Sequence, residues 1–100
     1  MNEVPDRGES RVRLEIDLAG IAANFRAIRK HVAPCRVMAV LKANAYGLGG
    51  RPMAERLRDA GADAFGAAEL NEALELLPLG LPVQILGNLL PDEVEPAVAA

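Results

Sequence analysis

One hundred residues, 51% hydrophobic and only 3% aromatic, with 25% charged and a formal net charge of -3, describe a globular chain rather than a disordered or collagen-like one. The charge is uneven: residues 1–60 hold all eleven Lys and Arg beside seven carboxylates, whereas residues 61–100 hold seven carboxylates and no base. No basic stripe exists to follow a phosphate backbone, and Phe25, Tyr46 and Phe65 are too scattered to form a stacking platform, which argues against nucleic-acid binding.

Residues 1–10 are polar and carry no apolar run behind a basic end, so they read as a flexible tail and not as a signal peptide. The alternation of polar and apolar residues over 11–17 predicts a half-buried first strand. Leu18, Ile21, Phe25, Ile28 and Val32 then recur at spacings of three and four, predicting an amphipathic helix with Asn24, Arg26, Arg29 and Lys30 on its outer face. Asp17 is placed to cap it and Pro34 to stop it. The apolar run over 36–41 lacks alternation, the pattern of a parallel strand buried on both faces. A glycine-rich loop over 42–50 comes next, then a helix with Pro52 at its start and Met53, Leu57 and Ala60 inside, ended by Gly61.

A third strand over 64–68 leads to a helix whose inner face is Leu70, Ala73, Leu74 and Leu77, closed by Pro78 and Gly80. The fourth strand is 83–86. Asp92 is expected to cap a last helix, in which Pro96 is tolerable only near the start. The stretch 76–90 is broken by Pro78, Gly80, Pro82, Gln84, Gly87 and Asn88, so it offers no run of about 20 apolar residues and no membrane partner is expected. The single cysteine, Cys35, makes no internal disulfide and reads as a small buried or edge residue; with the tail, it suits a cytoplasmic setting.

Strands alternating with helices over short connections define an α/β architecture. Either an open doubly wound sheet or the start of an eight-stranded barrel fits, and four units in one hundred residues extrapolate to about 200–250 for a closed barrel. Both place active sites at the C-terminal ends of the strands. Lys42 stands there, directly after the apolar run. Desolvation at that position favours the neutral amine that attacks a carbonyl to form a Schiff base; equally, the side chain can simply snorkel from the strand end to water.

Tyr46, four residues on, can offer a phenol to a phosphate or carboxylate, or cover the rim of the fold. Gly47, Gly49 and Gly50 can expose N–H groups to an anion or merely make a tight turn, and their spacing matches neither G-x-G-x-x-G nor a P-loop. His31 reads as a cap at a helix end, and Glu72 as a favourable acid in a first helical turn that can also support a neighbouring site. No cluster with metal-ligand spacing is present, and none is expected to bind metal.

The string Ala39-Val40-Leu41-Lys42-Ala43-Asn44-Ala45-Tyr46-Gly47-Leu48-Gly49 closely resembles the pyridoxal-phosphate attachment segment of alanine racemases. Arg13 to Leu18, with Asn24 and Arg29 beyond, resembles that family's opening strand and helix. Ala45-Tyr46-Gly47 separates the string from the Lys-Ala-Asn shared by some barrel-fold amino-acid decarboxylases. The resemblance implies a TIM-type barrel, (β/α)8, of which 11–100 would be the incomplete N-terminal half, followed in the family by a β-rich domain. It implies interconversion of L- and D-alanine with pyridoxal 5'-phosphate held on Lys42 as a Schiff base, Lys42 also serving as one acid/base group, and Tyr46 reaching the cofactor phosphate. The opposing base, a tyrosine of a partner subunit in a homodimer, is not in this sequence. Leu48 stands where most members carry histidine, which leaves the substrate's identity more open. A different enzyme on the same scaffold, a serine or broad-specificity racemase or a decarboxylase, is an alternative. A further alternative is that this length alone is a non-catalytic fragment.

Overall fold

The computed structural model describes residues 13–47 and 49–100. The expected tail over 1–10 lies outside them, as do Arg11 and Val12. The first helix, α1 (Leu18–Val32), forms where the apolar stripe predicts it, and Asp17 caps it: the Gly20 N–H donates to Asp17 Oδ1 at 2.9 Å. Residues 13–17 are not a strand, contrary to expectation. Leu14 is 67% exposed, and nothing among the described residues pairs with this segment. Alternation decides which side chains share a face, but a strand exists only through its ladder partner.

Beyond Pro34 come β1 (Met38–Val40), a helical turn α2 (Lys42–Tyr46), α3 (Gly50–Ala60), β2 (Ala64–Ala67) and α4 (Leu70–Leu76). A tight turn over Leu77–Leu79 extends α4 before β3 (Val83–Ile85); another over Pro91–Glu93 precedes α5 (Val94–Ala99). Gly61, at φ 110°, ends α3 in the left-handed conformation that glycine adopts without steric cost. Asp92 is not the last cap; the Glu93 carboxylate takes the Leu90 N–H at 2.8 Å instead, because the segment first winds as a tight turn. Cys35 is exposed and precedes β1 rather than opening it.

The sheet is parallel, in the order β1-β2-β3, with Val40 beside Gly66 and Gly66 beside Gln84. Strands succeed one another in chain order, without the reversal that marks a doubly wound sheet. The architecture is α/β, a partial parallel sheet of three strands in chain order.

The two faces of this sheet differ. Ala39, Phe65 and Ala67 are buried under Ala22 and Phe25 of α1, Met53, Ala54 and Leu57 of α3, and Ala73 and Leu76 of α4. Phe65 is the only large side chain with no exposure among the described residues. On the other face Met38, Val40 and Leu86 are exposed. Burial of β1 on both faces is therefore corrected to burial on one: an apolar run makes both faces apolar, but the three helices cover only one of them. Gly66 keeps the open face flat, since a Cβ there would meet Met38 Sδ and Leu86 Cδ1 at 3.1 Å.

Candidate active site at the end of the first strand

The parallel ladder runs one residue past β1, where the Leu41 N–H donates to the Gly66 carbonyl at 2.8 Å. Lys42 is the next residue, at the C-terminal edge of the sheet. It is exposed, so the apolar run before it does not desolvate it as the sequence suggested; the run is buried through Ala39 and Leu41, while Lys42 has already left the core. Among the described residues no carboxylate lies within ion-pair distance of its ammonium.

The backbone immediately after Lys42 is unusual. Ala43, Asn44 and Ala45 have φ of 54°, 56° and 58°, so α2 is a turn of left-handed helix built from residues with side chains. Left-handed backbone costs such residues about 1–2 kcal/mol each. The turn persists because it is tied at several points. The Ala45 N–H donates to the Leu41 carbonyl at 3.0 Å, and the Ala45 methyl is buried. Asn44 Oδ1 accepts the Gly50 N–H at 2.6 Å and so fastens the turn to the start of α3.

The remaining tie comes from α4. Glu72 Oε2 accepts the Ala43 N–H at 2.8 Å, while Oε1 accepts the N–H groups of Ala68 at 2.8 Å and Glu69 at 3.2 Å. One carboxylate thus joins the residue after Lys42, the end of β2 and the N-terminus of α4. Those bonds, that to Ala68 first, hold the Glu72 carboxyl below the usual range against a smaller desolvation effect that raises it. Sequence reasoning placed Glu72 in a first helical turn but missed its bond to Ala43; the Glu at the third helical position was the available signal.

Gly47, Gly49 and Gly50 do not present an anion site. Their N–H groups are spent on the turn, on the Ala43 carbonyl at 2.8 Å, the Asn44 carbonyl at 2.9 Å and Asn44 Oδ1 respectively. Tyr46 closes α2, and its side chain lies outside the described ones, as does Leu48. His31 is exposed in the last turn of α1, where it complements the helix dipole. A cleft of about 200 Å³ behind the turn is lined by Leu41, Asn44, Arg51, Glu72 and Glu75.

The opposite end of β1 is also held by a carboxylate. Asp63 Oδ2 accepts the Val37 N–H at 2.7 Å and Arg29 Nη1 at 2.5 Å. Arg29 is therefore not a free outer-face residue; it crosses from α1 to the start of β2 because Asp63 lies within reach.

Known proteins share the same segments. The family described as alanine racemase, N-terminal domain, matches residues 16–100. The chain is 45% identical over 87 residues to the alanine racemase of Desulforamulus reducens, covering 84% of this chain and 24% of that protein. It is 43% identical over 72 residues to that of Corynebacterium glutamicum, covering 72% and 20%. The crystal structure of the Bartonella henselae alanine racemase, which has covalently bound pyridoxal phosphate, superposes with a TM-score of 0.75 at 40% identity over 84% of this chain and 24% of that one. The chain spans about a quarter of the length of these relatives. No helix among the described residues is long and apolar enough to cross a membrane.

Proposed function

We propose that this chain, which belongs to the alanine racemase N-terminal domain family, supplies the cofactor lysine of an enzyme that interconverts L- and D-alanine. The observation that carries the reading is Lys42 itself: an exposed amine without an ion-pair partner among the described residues, at the C-terminal edge of a parallel sheet, on a backbone turn held against its steric preference.

These features suit pyridoxal 5'-phosphate. An amine free of a carboxylate is available to an aldehyde, and its strand-end position faces the side of the barrel where substrates enter. When bound, the cofactor delocalises the electron pair left at the substrate α-carbon. In this reading Lys42 would hold the cofactor and, once its amine is free, would take or return the α-proton on one face of the substrate. Tyr46, at the end of the same turn, is assigned to the cofactor phosphate. A homodimer in the cytoplasm is the arrangement that the family resemblance supports.

Borohydride treatment in the presence of pyridoxal phosphate tests the first step: a label is expected on Lys42 and is expected to vanish in Lys42→Ala. Labelling of Lys30 or the N-terminal amine alone would overturn the assignment. Loss of optical rotation from L-alanine without carbon dioxide release is the result expected of a racemase; carbon dioxide release would mark a decarboxylase. Sedimentation measures the dimer.

A further inference from the structure

The left-handed turn after Lys42 poses a physical question: three consecutive residues with side chains sit in backbone that such residues disfavour. Backbone bonds inside the turn do not select its hand unaided, because a right-handed turn would make equivalent bonds. The bonds that depend on where the turn points are those to groups beyond it: the Ala43 N–H donates to Glu72, and Asn44 Oδ1 accepts the Gly50 N–H. Of these two, Glu72 alone comes from a sequence-distant element, 29 residues away, and alone touches the residue adjoining Lys42.

We propose that Glu72 is the positioning residue for Lys42. Its carboxylate fixes the direction in which the Ala43 N–H points, and with it the direction in which the preceding residue presents its amine. The inference rests on the reading of Lys42 as the amine that condenses with pyridoxal phosphate. A carboxylate is the group this position needs, because all three of its partners are donors and both of its oxygens are used. Glutamine keeps the shape but offers one acceptor oxygen. It can retain the Ala68 and Glu69 bonds and must then turn an NH2 group toward the Ala43 N–H. Aspartate keeps the charge at the start of α4 but falls one methylene short of spanning β2 and the turn. Neither change touches Lys42, and both spare the helix N-terminus, so a role confined to capping α4 is separated from a role in placing the amine.

The test uses pyridoxal phosphate as probe on the full chain. The lysine amine condenses with the aldehyde with loss of water, and borohydride delivers hydride to the C=N bond, leaving a stable secondary amine that mass spectrometry locates. Lys30, the only other lysine, is exposed on α1 and serves as the internal reference. In Glu72→Gln and Glu72→Asp the Lys42-to-Lys30 labelling ratio is expected to fall by up to about a hundredfold, the size that a displacement near 1 Å produces at a reacting group. Amide exchange at Ala43 is expected to accelerate while Ala68 stays protected. Substituting glycine for Ala43 in the Glu72→Gln background relieves one of the left-handed residues and is expected to recover part of the ratio. A Lys42 preference and an Ala43 exchange rate that survive in whichever variant folds would overturn the positioning role. Equal labelling of Lys30 and Lys42 in the unsubstituted chain would instead overturn the reading of Lys42 on which the role rests.

Discussion

The two ends of β1 are held by the same chemical device put to different uses. At the N-terminal end Asp63 binds the Val37 N–H and the Arg29 guanidinium; at the C-terminal end Glu72 binds the Ala43 N–H together with those of Ala68 and Glu69. Each carboxylate lies on a later segment than the strand it fixes, so each locks sequence-distant pieces together. The difference lies in what is locked. Asp63 secures ordinary extended backbone and draws on a cation. Glu72 secures left-handed backbone next to Lys42 and draws on N–H groups only. In a barrel of this kind the bottom of the strands reads as stability and the top as chemistry, and here that division is visible within three residues of strand.

The largest expected effect removes what both ends share. Phe65 is completely buried between β1 and β3 and beneath the helices. Phe65→Ala is expected to destabilise the chain by about 3–5 kcal/mol in denaturant unfolding, loosening the Asp63 and Glu72 ends together. Labelling of Lys42 is expected to fall in parallel with the folded fraction. If labelling persisted unchanged in the unfolded population, the top of the strand would owe nothing to the fold.

Asp63→Asn breaks the comparison at one end. Asparagine can place its one acceptor oxygen where Oδ2 now serves both the Val37 N–H and Arg29, but it turns an NH2 toward the second guanidinium nitrogen and loses the charge that draws the guanidinium across from α1. A lower unfolding midpoint is expected, by less than Phe65→Ala produces, with the Lys42-to-Lys30 labelling ratio unaltered. Glu72→Gln is expected to show the converse, a small change in midpoint and a large change in ratio. A ratio that fell equally in both variants would mean that β1 transmits its position rigidly from end to end, and the two roles would merge.

Much of this fold is legible in the residues alone. Apolar spacing over 18–32 and the caps at Asp17 and Gly61 are local signals, and α1 and α3 lie where they indicate. Lys42 stands out because an apolar run stops at it. The hand of the turn is not legible, because Ala43 and Ala45 have no preference for left-handed backbone, and one of the bonds that hold it comes from Glu72, 29 residues away. Arg29 is misread for the same reason: its partner is 34 residues distant. The segment 13–17 shows the reverse failure, a clear alternation without a neighbour to make it a strand.

Acid titration in two salt concentrations gives the smallest expected effect and the sharpest contrast between the ends. Arg29 foremost, then the Val37 N–H, holds the Asp63 carboxyl below its ordinary value, while the Ala68 N–H foremost, then those of Ala43 and Glu69, does so for Glu72. Desolvation opposes both. A carboxyl depressed in the folded chain contributes stability that is fully present above its unfolded value, about 3.9 for Asp and 4.3 for Glu, and that is lost as pH falls through the lower folded value. Stability is therefore expected to decline below about pH 4, less steeply in Asp63→Asn and in Glu72→Gln than in the unsubstituted chain. Six residues separate the two bonded N–H groups, on the order of 15–20 Å of chain, beyond the roughly 8–10 Å over which exposed charges interact in ordinary salt. The two contributions are accordingly expected to add in the double variant. Salt then tells them apart. The Arg29–Asp63 pair is partly open to solvent, with side-chain exposures of 38% and 25%, so raised salt screens it. The bonds to Glu72 involve no cation, and screening leaves them largely in place. Raising the salt is expected to narrow the difference in acid sensitivity between the unsubstituted chain and Asp63→Asn, and to leave the difference from Glu72→Gln nearly constant. Equal narrowing of both would mean that a cation, such as Arg51 of the same cleft, also supports Glu72, and would remove the distinction between a charge-held base and an N–H-held summit of the strand.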